Sequence, residues 1–526
     1  MSSISAGADS DAQPVNLPLT PLDFLTRARR LFGPLEAGVE GQRRVSYGEL
    51  AGRCYRLARL VRSLGVGPGD RVAYLCGNTL ELLEAYYGVV LAGAVLTPLN
   101  IRLAPAEIEA ILVDCTPALL AVHPSFAELG AKVDTPRLDL GAGYESALAS
   151  FSGDPVEPPD GLDENDVCEL FYTSGSTGVP RGAMLTHRNV ATHAVDAALS
   201  LGLTHRDVVL HTIPLFHVNG WGTPHYVTAV GARHVLLERF DAGRVLALIE
   251  TERVTRCSLV PSMATALLTD PDIAKRDLSS LVQVTIGGAP PGPELMARVE
   301  AAVDGCEVIC GYGLTEASPQ VTKAVTLRSH DDLPAEEQRR RRATTGLPII
   351  GVDARVLGPD DEEVPWDGST VGEIGIRSNH VMAGYWGRPD ETDEALRGGW
   401  LRTGDLAVVD AEGYITIVDR RKDLIISGGE NISSVEVEHA LCAHPAVLEA
   451  AVVGMPDSRW GEVPRAFVVL RAGAGWGVTG ETLIDWVRGR LAHFKAPKRV
   501  DIVAELPKGG TGKVQKPLLR QWPLTE

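Results

Sequence analysis

The segment Tyr172-Thr-Ser-Gly-Ser-Thr-Gly-Val-Pro-Arg-Gly-Ala-Met-Leu-Thr-His187 carries the residue types that point most clearly to chemistry. Glu169–Thr173 reads as a strand, Gly182–Thr186 as its hairpin partner and Asn189 onward as a helix. The loop between them holds hydroxyls and glycines. Glycines let backbone N–H groups approach an anion, and hydroxyls add neutral donors. Such a loop can wrap the β- and γ-phosphates of a nucleotide, using Thr173, Ser174, Gly175, Ser176, Thr177, Gly178 and Arg181. It lacks the GxxxxGK(S/T) spacing of a Walker A loop. By composition, a flexible Ser/Gly turn is an equally good reading.

The elements that must position this loop belong to a long, soluble-type chain. Its 526 residues exceed one hydrophobic core, since a domain holds about 100–200 residues. Hydrophobic residues make up 44% and charged residues 22%, a globular balance. A net charge of −18 argues against nucleic acid as a main partner, but leaves room for a local basic pocket. The eight cysteines form no CxxC pair, and Cys306 and Cys310 have no companion cluster for zinc, so all eight read as reduced thiols in a cytoplasmic protein. No membrane insertion is expected. The longest apolar stretch, Ala85–Leu96, is shorter than the roughly 20 residues a membrane helix needs and reads as a buried helix running into a strand. No secretory leader or peroxisomal C-terminal address is recognisable.

Residues 1–20 read as a flexible arm. Leu50–Leu64 reads as an amphipathic helix, Arg71–Leu75 and Ala94–Pro98 as buried strands, and the same alternation returns at Asp207–Leu215, Arg233–Leu237, Arg256–Val260 and Leu281–Ile286. That rhythm argues for parallel, doubly wound sheets. Ser329–Arg342, dense in charge, reads as a solvated surface loop. Short strands and turns follow Gly346, and after Asp419 about a hundred residues show a βαβ-like rhythm of their own. The expected fold is α/β. A large N-terminal domain, 21–421, holds two doubly wound subdomains plus a β-rich one, and a small α+β domain, mobile by the family resemblance given below, occupies 422–526.

The phosphate-loop string is followed, in order, by Pro214-Leu-Phe-His-Val-Asn-Gly220, Gly287-Gly-Ala-Pro290, Gly311-Tyr-Gly-Leu-Thr-Glu316, Thr403-Gly-Asp405, Asp419-Arg-Arg-Lys-Asp423, Ser427-Gly-Gly-Glu-Asn431 and Gly512-Lys513. In these strings the chain resembles the adenylate-forming superfamily of acyl-CoA synthetases, firefly-type luciferases and peptide-synthetase adenylation domains, from about Tyr47 to Lys516. Phe216-His-Val-Asn-Gly-Trp221 and Ile426-Ser-Gly-Gly-Glu-Asn-Ile432 look most like medium-chain and aromatic acyl-CoA ligases. One departure stands in the phosphate loop, where many relatives carry lysine at the position of Arg181. Arginine keeps the charge there but reaches differently.

The resemblance implies ATP, Mg²⁺ and coenzyme A as cofactors and cosubstrates, with a carboxylic acid as the small-molecule partner and fatty-acid metabolism as the setting. A homodimer is left open. Bringing a carboxylate against an ATP α-phosphate sets anion against anion, and cations must offset the repulsion. Glu316 would hold Mg²⁺, and Thr315 and Thr177 would touch phosphate oxygens. Tyr312 beside Gly313 would stack on adenine, with Gly288, Ala289 and Pro290 along its other side. Asp405 would accept the ribose hydroxyls, with Arg420 as a second ribose contact. By resemblance Lys513 is the catalytic lysine of adenylation, and Lys422 is the hinge about which the C-terminal domain rotates before thiol attack. Gly428 and Gly429 would then line a pantetheine tunnel, Trp460 and Phe494 would pack on the CoA nucleotide, and Lys498 would meet its phosphates.

The acid is expected to lack an α-amine, because no carboxylate follows Phe216 through Trp221 to pair an ammonium. His217 is placed at the substrate carboxylate or the thiol tunnel and counted as catalytic. Trp221, Gly222, Ile286, Gly287 and Gly311 are expected to bound the acyl pocket, with adjacent glycines leaving volume for an aryl ring or medium chain. Two other functions share this pattern. In one, the acyl group passes to a carrier protein, an amine or another nucleophile, which a CoA-dependent thioester assay separates. The other is a non-catalytic sensor, against which the joint presence of Glu316, Asp405 and Lys513 argues.

Overall fold

The computed structural model describes residues 17–174, 180–471, 473–474, 477–509 and 514–523. Two large sheets form the N-terminal part. The seven-stranded one runs, edge to edge, through Gly384–Tyr385, Pro180–Thr186, Val167–Ser174, Val95–Pro98, Arg71–Leu75, Leu119–Val122 and Arg137–Asp139. Its last five strands are parallel, and parallel strands need both faces covered. The burial agrees: Val95–Pro98 and Leu119–Val122 are buried at every position, and so is the whole helix Leu80–Leu91. That helix carries Glu84 into the core, where Arg53 (2.6 Å) and Tyr144 (2.6 Å) meet it; burial pushes its carboxyl up to about 7 against the pull of Arg53.

The nine-stranded sheet has a parallel centre of Glu307–Gly313, Gln283–Gly287, Arg256–Leu259, Val208–His211, Arg233–Leu236 and Glu36–Glu40, with antiparallel strands at both edges. A four-stranded antiparallel sheet follows, built from Val352–Leu357, Gly372–Ser378, Leu401–Val409 and Ile415–Arg420. The C-terminal unit is one sheet with helices Ser434–Cys442 and Gly480–Arg488 packed on its core. The fold is therefore α/β with a large N-terminal domain and a smaller C-terminal one.

Three readings from sequence change. Leu17–Thr20 of the expected arm is docked: the Leu19 amide donates to Glu164 (2.9 Å) and the Thr20 hydroxyl meets His187 Nδ1 (2.9 Å). The charged run Ser329–Arg342 is not a loop throughout. Ala335–Arg342 is a helix whose arginines are paired, Arg339 and Arg342 both with Glu300 and Arg341 with Glu337 and Glu412. Spacing along the chain cannot reveal Glu300 or Glu412, which lie far off in sequence. The C-terminal sheet is mainly antiparallel, its long hairpin Val447–Asp457/Gly461–Leu470 joined in parallel only by Arg499–Ile502.

Candidate active site

Gly287 and Gly311 are register partners on adjacent parallel strands, so the strips Gly288–Pro290 and Tyr312–Glu316 leave the sheet side by side at its carboxyl edge. Open α/β sheets bind ligands in this crevice. The strand Val208–His211 of the same sheet feeds Pro214–Gly220 toward the same edge. Gly288 and Ala289 are exposed there and Pro290 half-buried, an open backbone ledge.

Tyr312 donates its phenol to Asp405 Oδ2 at 2.7 Å, and Arg420 Nε stands 3.2 Å from Asp405 Oδ1. Asp405 and Arg420 are cross-strand partners, which fixes that pair, and Asp405 is 7% exposed. Burial, followed by the Asp405 charge, holds the Tyr312 phenol well above its usual range, so it stays a donor. The ring of Tyr312 is thereby pinned beside the Gly288–Pro290 ledge, and the Asp405 carboxylate lies at its rim.

Glu316 sits on the 3₁₀ turn Thr315–Ala317, half-buried, with Thr315 buried beside it. Its Oε1 accepts the Tyr385 hydroxyl at 2.8 Å. Among the described residues no three His, Cys, Asp or Glu side chains cluster as a metal cage. A hard cation at Glu316 would draw its other oxygens from phosphate and water, the donor set Mg²⁺ favours. The strands that flank the phosphate loop pair as expected, Thr173 with Arg181 and Ser174 with Pro180. Arg181 Nε lies 2.5 Å from Glu391 Oε2, an ion pair rather than an aligned hydrogen bond. Gly175, Ser176, Thr177, Gly178 and Lys513 lie outside the described residues.

His217, half-buried, and Trp221 line a cavity of about 10 Å³ with Ile213, Pro214, Val260, Met263 and Gly288, scarcely room for one water. The glycines expected to leave volume for a substrate are already in use. A methyl group on Gly287 would come within 2.9 Å of the Trp221 ring, and one on Gly222 within 2.5 Å of the His193 ring. Gly311 is held closely too, with Thr285 Cγ2 3.2 Å from where its Cβ would be, and Ile286 is buried beside it. Trp221 itself holds φ +69°, in a run with Val218, Gly220 and Gly222 also in the left-handed region. For a non-glycine residue that conformation costs about 1–3 kcal/mol. Position Trp221 is thus a strained aromatic plug over the glycine floor.

On the C-terminal unit, Gly428 and Gly429 are exposed, and the Gly428 amide donates to Trp460 O at 2.7 Å. Lys498 acts on Asp457, whose carboxylate also accepts the Trp460 amide at 2.9 Å, so Trp460 and Lys498 share one corner. Phe494 is exposed at 42% on the 3₁₀ turn His493–Lys495. Among the described residues no hydrogen bond joins Ile426–Asn431 to the N-terminal part. The contact made instead is His439 Nε2 with Pro290 O, at 3.4 Å.

Sequence reasoning missed Tyr385, His193, Glu373 and Arg520. Glu373 accepts the Gly404 amide (2.9 Å) and pairs with Arg421 (2.7 Å). Arg520 donates to Lys422 O (3.2 Å) and Asp423 (2.7 Å). None stands in a motif whose residue type announces chemistry, and Tyr385 is placed by the pairing of Gly384-Tyr385 with Met184 and Ala183, which spacing along the chain does not show.

A ledge for a flat base, a buried carboxylate for a diol and a lone carboxylate for a phosphate-bound cation define a nucleotide-dependent, adenylate-forming enzyme. Residues 27–386 match the AMP-binding enzyme family, and residues 436–513 match the AMP-binding enzyme C-terminal domain. The chain is 42% identical over 478 residues to a feruloyl-CoA synthase of an Amycolatopsis species, covering 91% of this chain and 94% of that one. An anthranilate CoA ligase solved in complex with anthranoyl-AMP superposes with a TM-score of 0.87 at 28% identity, covering 96% of this chain and 98% of that one. The amide bond synthetase of Marinactinospora thermotolerans superposes with a TM-score of 0.84 at 30% identity, covering 96% and 99%. The chain belongs to the AMP-binding enzyme family and is an AMP-forming acid–thiol ligase that uses ATP, Mg²⁺ and coenzyme A.

Proposed function

We propose that the gathered residues activate a medium-chain or aromatic carboxylic acid without an α-amine and divide the work as follows. Adenine lies between Tyr312 and the Gly288–Pro290 ledge, and Asp405 with Arg420 takes the ribose. The convergence of Asp405, Tyr312 and Glu316 at one sheet edge carries this reading. Mg²⁺ would supply charge neutralisation on the phosphates, and Glu316 would hold it, with the neighbouring Thr315 touching phosphate oxygens. His217 borders the acid's carboxylate beside the Trp221 plug. The described lining of that cavity contains no carboxylate, which supports an acid lacking an α-ammonium. The aromatic acids in the names of two similar proteins support the same class. Lys513 steadies the charge that grows on the α-phosphate during displacement.

A domain boundary at 421/422 is supported by the attachments of the residues that flank it. Arg421 is tied to the β-rich sheet through Gly404 O (2.9 Å) and Glu373 (2.7 Å), while Lys422 and Asp423 are tied to the C-terminal helix by Arg520. Rotation there would swing Gly428 and Gly429 toward the acyl-adenylate and carry Trp460, Phe494 and Lys498 to the CoA nucleotide. The eight unpaired cysteines favour a reducing, cytoplasmic setting. No described helix is long and apolar enough to cross a membrane.

The likeness to an amide bond synthetase makes an amine the rival acceptor. Pyrophosphate release over a panel of carboxylic acids, with CoA, with an amine and with neither, tests both halves. Acid-dependent release with thioester formed only in the CoA arm is expected. Release from α-amino acids alone, or product only in the amine arm, would overturn the reading.

A further inference from the structure

We propose that Tyr385 is a positioning residue for the Glu316 carboxylate, presenting it to the cation on a rigid mount tied to the phosphate-loop hairpin. The inference rests on Glu316 as the Mg²⁺ ligand. A glutamate on a short turn has several free torsions, and Mg²⁺ demands near-ideal octahedral geometry. Something must fix the carboxylate, and the turn Thr315–Ala317 is too short to do so. The strand Gly384–Tyr385 and its approach supply the fixing at two points. The Met382 amide donates to Glu316 O at 2.9 Å, and the Tyr385 hydroxyl donates to Glu316 Oε1 at 2.8 Å.

Tyr385 is itself immobile. It is 8% exposed, its amide donates to Thr392 Oγ1 at 2.9 Å, and its strand pairs with Ala183 of the hairpin. The Arg181 guanidinium lies 5.5 Å from its ring centre, held there by Glu391. One phenol therefore links the base of the phosphate loop to the carboxylate. A carboxylate oxygen only accepts, so the phenol 2.8 Å from it is the donor. With Oε1 engaged, Oε2, which makes no hydrogen bond among the described residues, faces the cation under this proposal.

The test is ATP binding without acid, followed as thermal stabilisation of the full chain across a Mg²⁺ titration, so that no turnover is read. Tyr385→Phe keeps the ring and removes the donor. It should raise the half-saturating Mg²⁺ concentration about tenfold, as loss of a metal ligand's supporting partner does, with ATP binding recovered at high Mg²⁺. The same substitution in a Glu316→Gln background should add no further shift. An unchanged or lowered half-saturating concentration overturns the proposal, and so does an equal effect in both backgrounds, which would mean general loosening. If Glu316→Gln alone leaves the Mg²⁺ dependence unmoved, the ligand assignment itself fails.

Discussion

Asp419 Oδ2 accepts the Ser434 amide at 2.7 Å, so a buried carboxylate at the end of the β-rich sheet caps the first helix of the C-terminal unit. Ser433 repeats the link by donating its hydroxyl to Val418 O. Behind them Lys516 donates to Ser434 Oγ (2.5 Å) and pairs with Glu438 (2.8 Å); despite burial, Glu438 and Asp419 hold its ammonium above its ordinary range. The bonds from Ser434 to Asp419 and from Ser433 to Val418 cross the proposed boundary and must break if the C-terminal unit rotates. Asp419→Ala should slow acid-dependent pyrophosphate release about tenfold, the worth of a hydrogen bond to a buried charge. Thioester formation from supplied acyl-adenylate should change little. Equal losses in the two half-reactions would show that the bonds merely hold the fold.

Lys422→Pro should block thioester formation and spare adenylation. Proline fixes φ near −65° and restricts the preceding residue, so the pivot can no longer turn. The expected result is bound acyl-AMP that accumulates in the presence of CoA. Lys422→Ala should leave both half-reactions largely intact. Acyl-CoA formed at the parent rate by the proline variant would place the hinge elsewhere.

Lys513→Ala should abolish acyl-adenylate formation while leaving thioester formation from supplied acyl-adenylate. The loop that bears Lys513 is closed at its root, where Lys508 bridges to Val514 and the Gln515 amide donates to Pro507 O at 2.8 Å. Downstream it is moored by Lys516 beside Asp419. A lysine presented in one pose acts in one half-reaction. Rapid-quench measurement of each separates them, and parallel loss of both would refute the assignment.

Trp221→Ala should open the acyl pocket. Removing the ring from above Gly287 frees volume where about 10 Å³ is available now, while the left-handed backbone stays strained because alanine keeps its Cβ. We expect kcat/KM for bulky acids to rise about tenfold or more relative to short ones. Competition between a short and a bulky acid reads the ratio directly, and an unchanged ratio would remove Trp221 from the pocket.

Stability should fall in acid through a buried histidine chain. His211 Nε2 meets His234 Nδ1 at 3.0 Å, with Thr223 (3.0 Å) and Thr228 (3.1 Å) at the two ends. Burial lowers His211 from 6.5 to about 3 and His234 well below its ordinary value. The folded state therefore binds fewer protons than the unfolded one. The stabilisation is complete above about pH 6.5 and is lost as pH falls toward 3. The loss should approach about 1.4 kcal/mol per pH unit for each such group. Denaturant unfolding of the parent and His211→Gln between neutral and mildly acid pH should show a shallower slope in the variant. Identical slopes would exclude this cluster as the cause.

Local patterns in the sequence were enough to read the helix as Leu50–Leu64, against Tyr47–Ser63 in the structure, the strand Arg71–Leu75 and the phosphate-loop hairpin, because periodicity and turn residues act over a few positions. The motif strings were equally legible, since residue type and spacing state what a loop can bind. The arginine run Arg339–Arg342 was misjudged because its partners, Glu300 and Glu412, are distant in sequence.

By itself, then, the sequence determined the α/β class, the order of the motifs and the chemistry their residue types permit. Tertiary structure decided which of them meet. Tyr312 and Asp405 stand 93 positions apart, and Tyr385 and Glu316 69 apart, and each pair is joined by a single hydrogen bond that only sheet register can arrange. It also decided what fills the space around the glycines, giving it to Trp221 and His193. The reason is physical: a contact across a fold depends on strand pairing and packing far along the chain, whereas a loop's donors are fixed by its own residues.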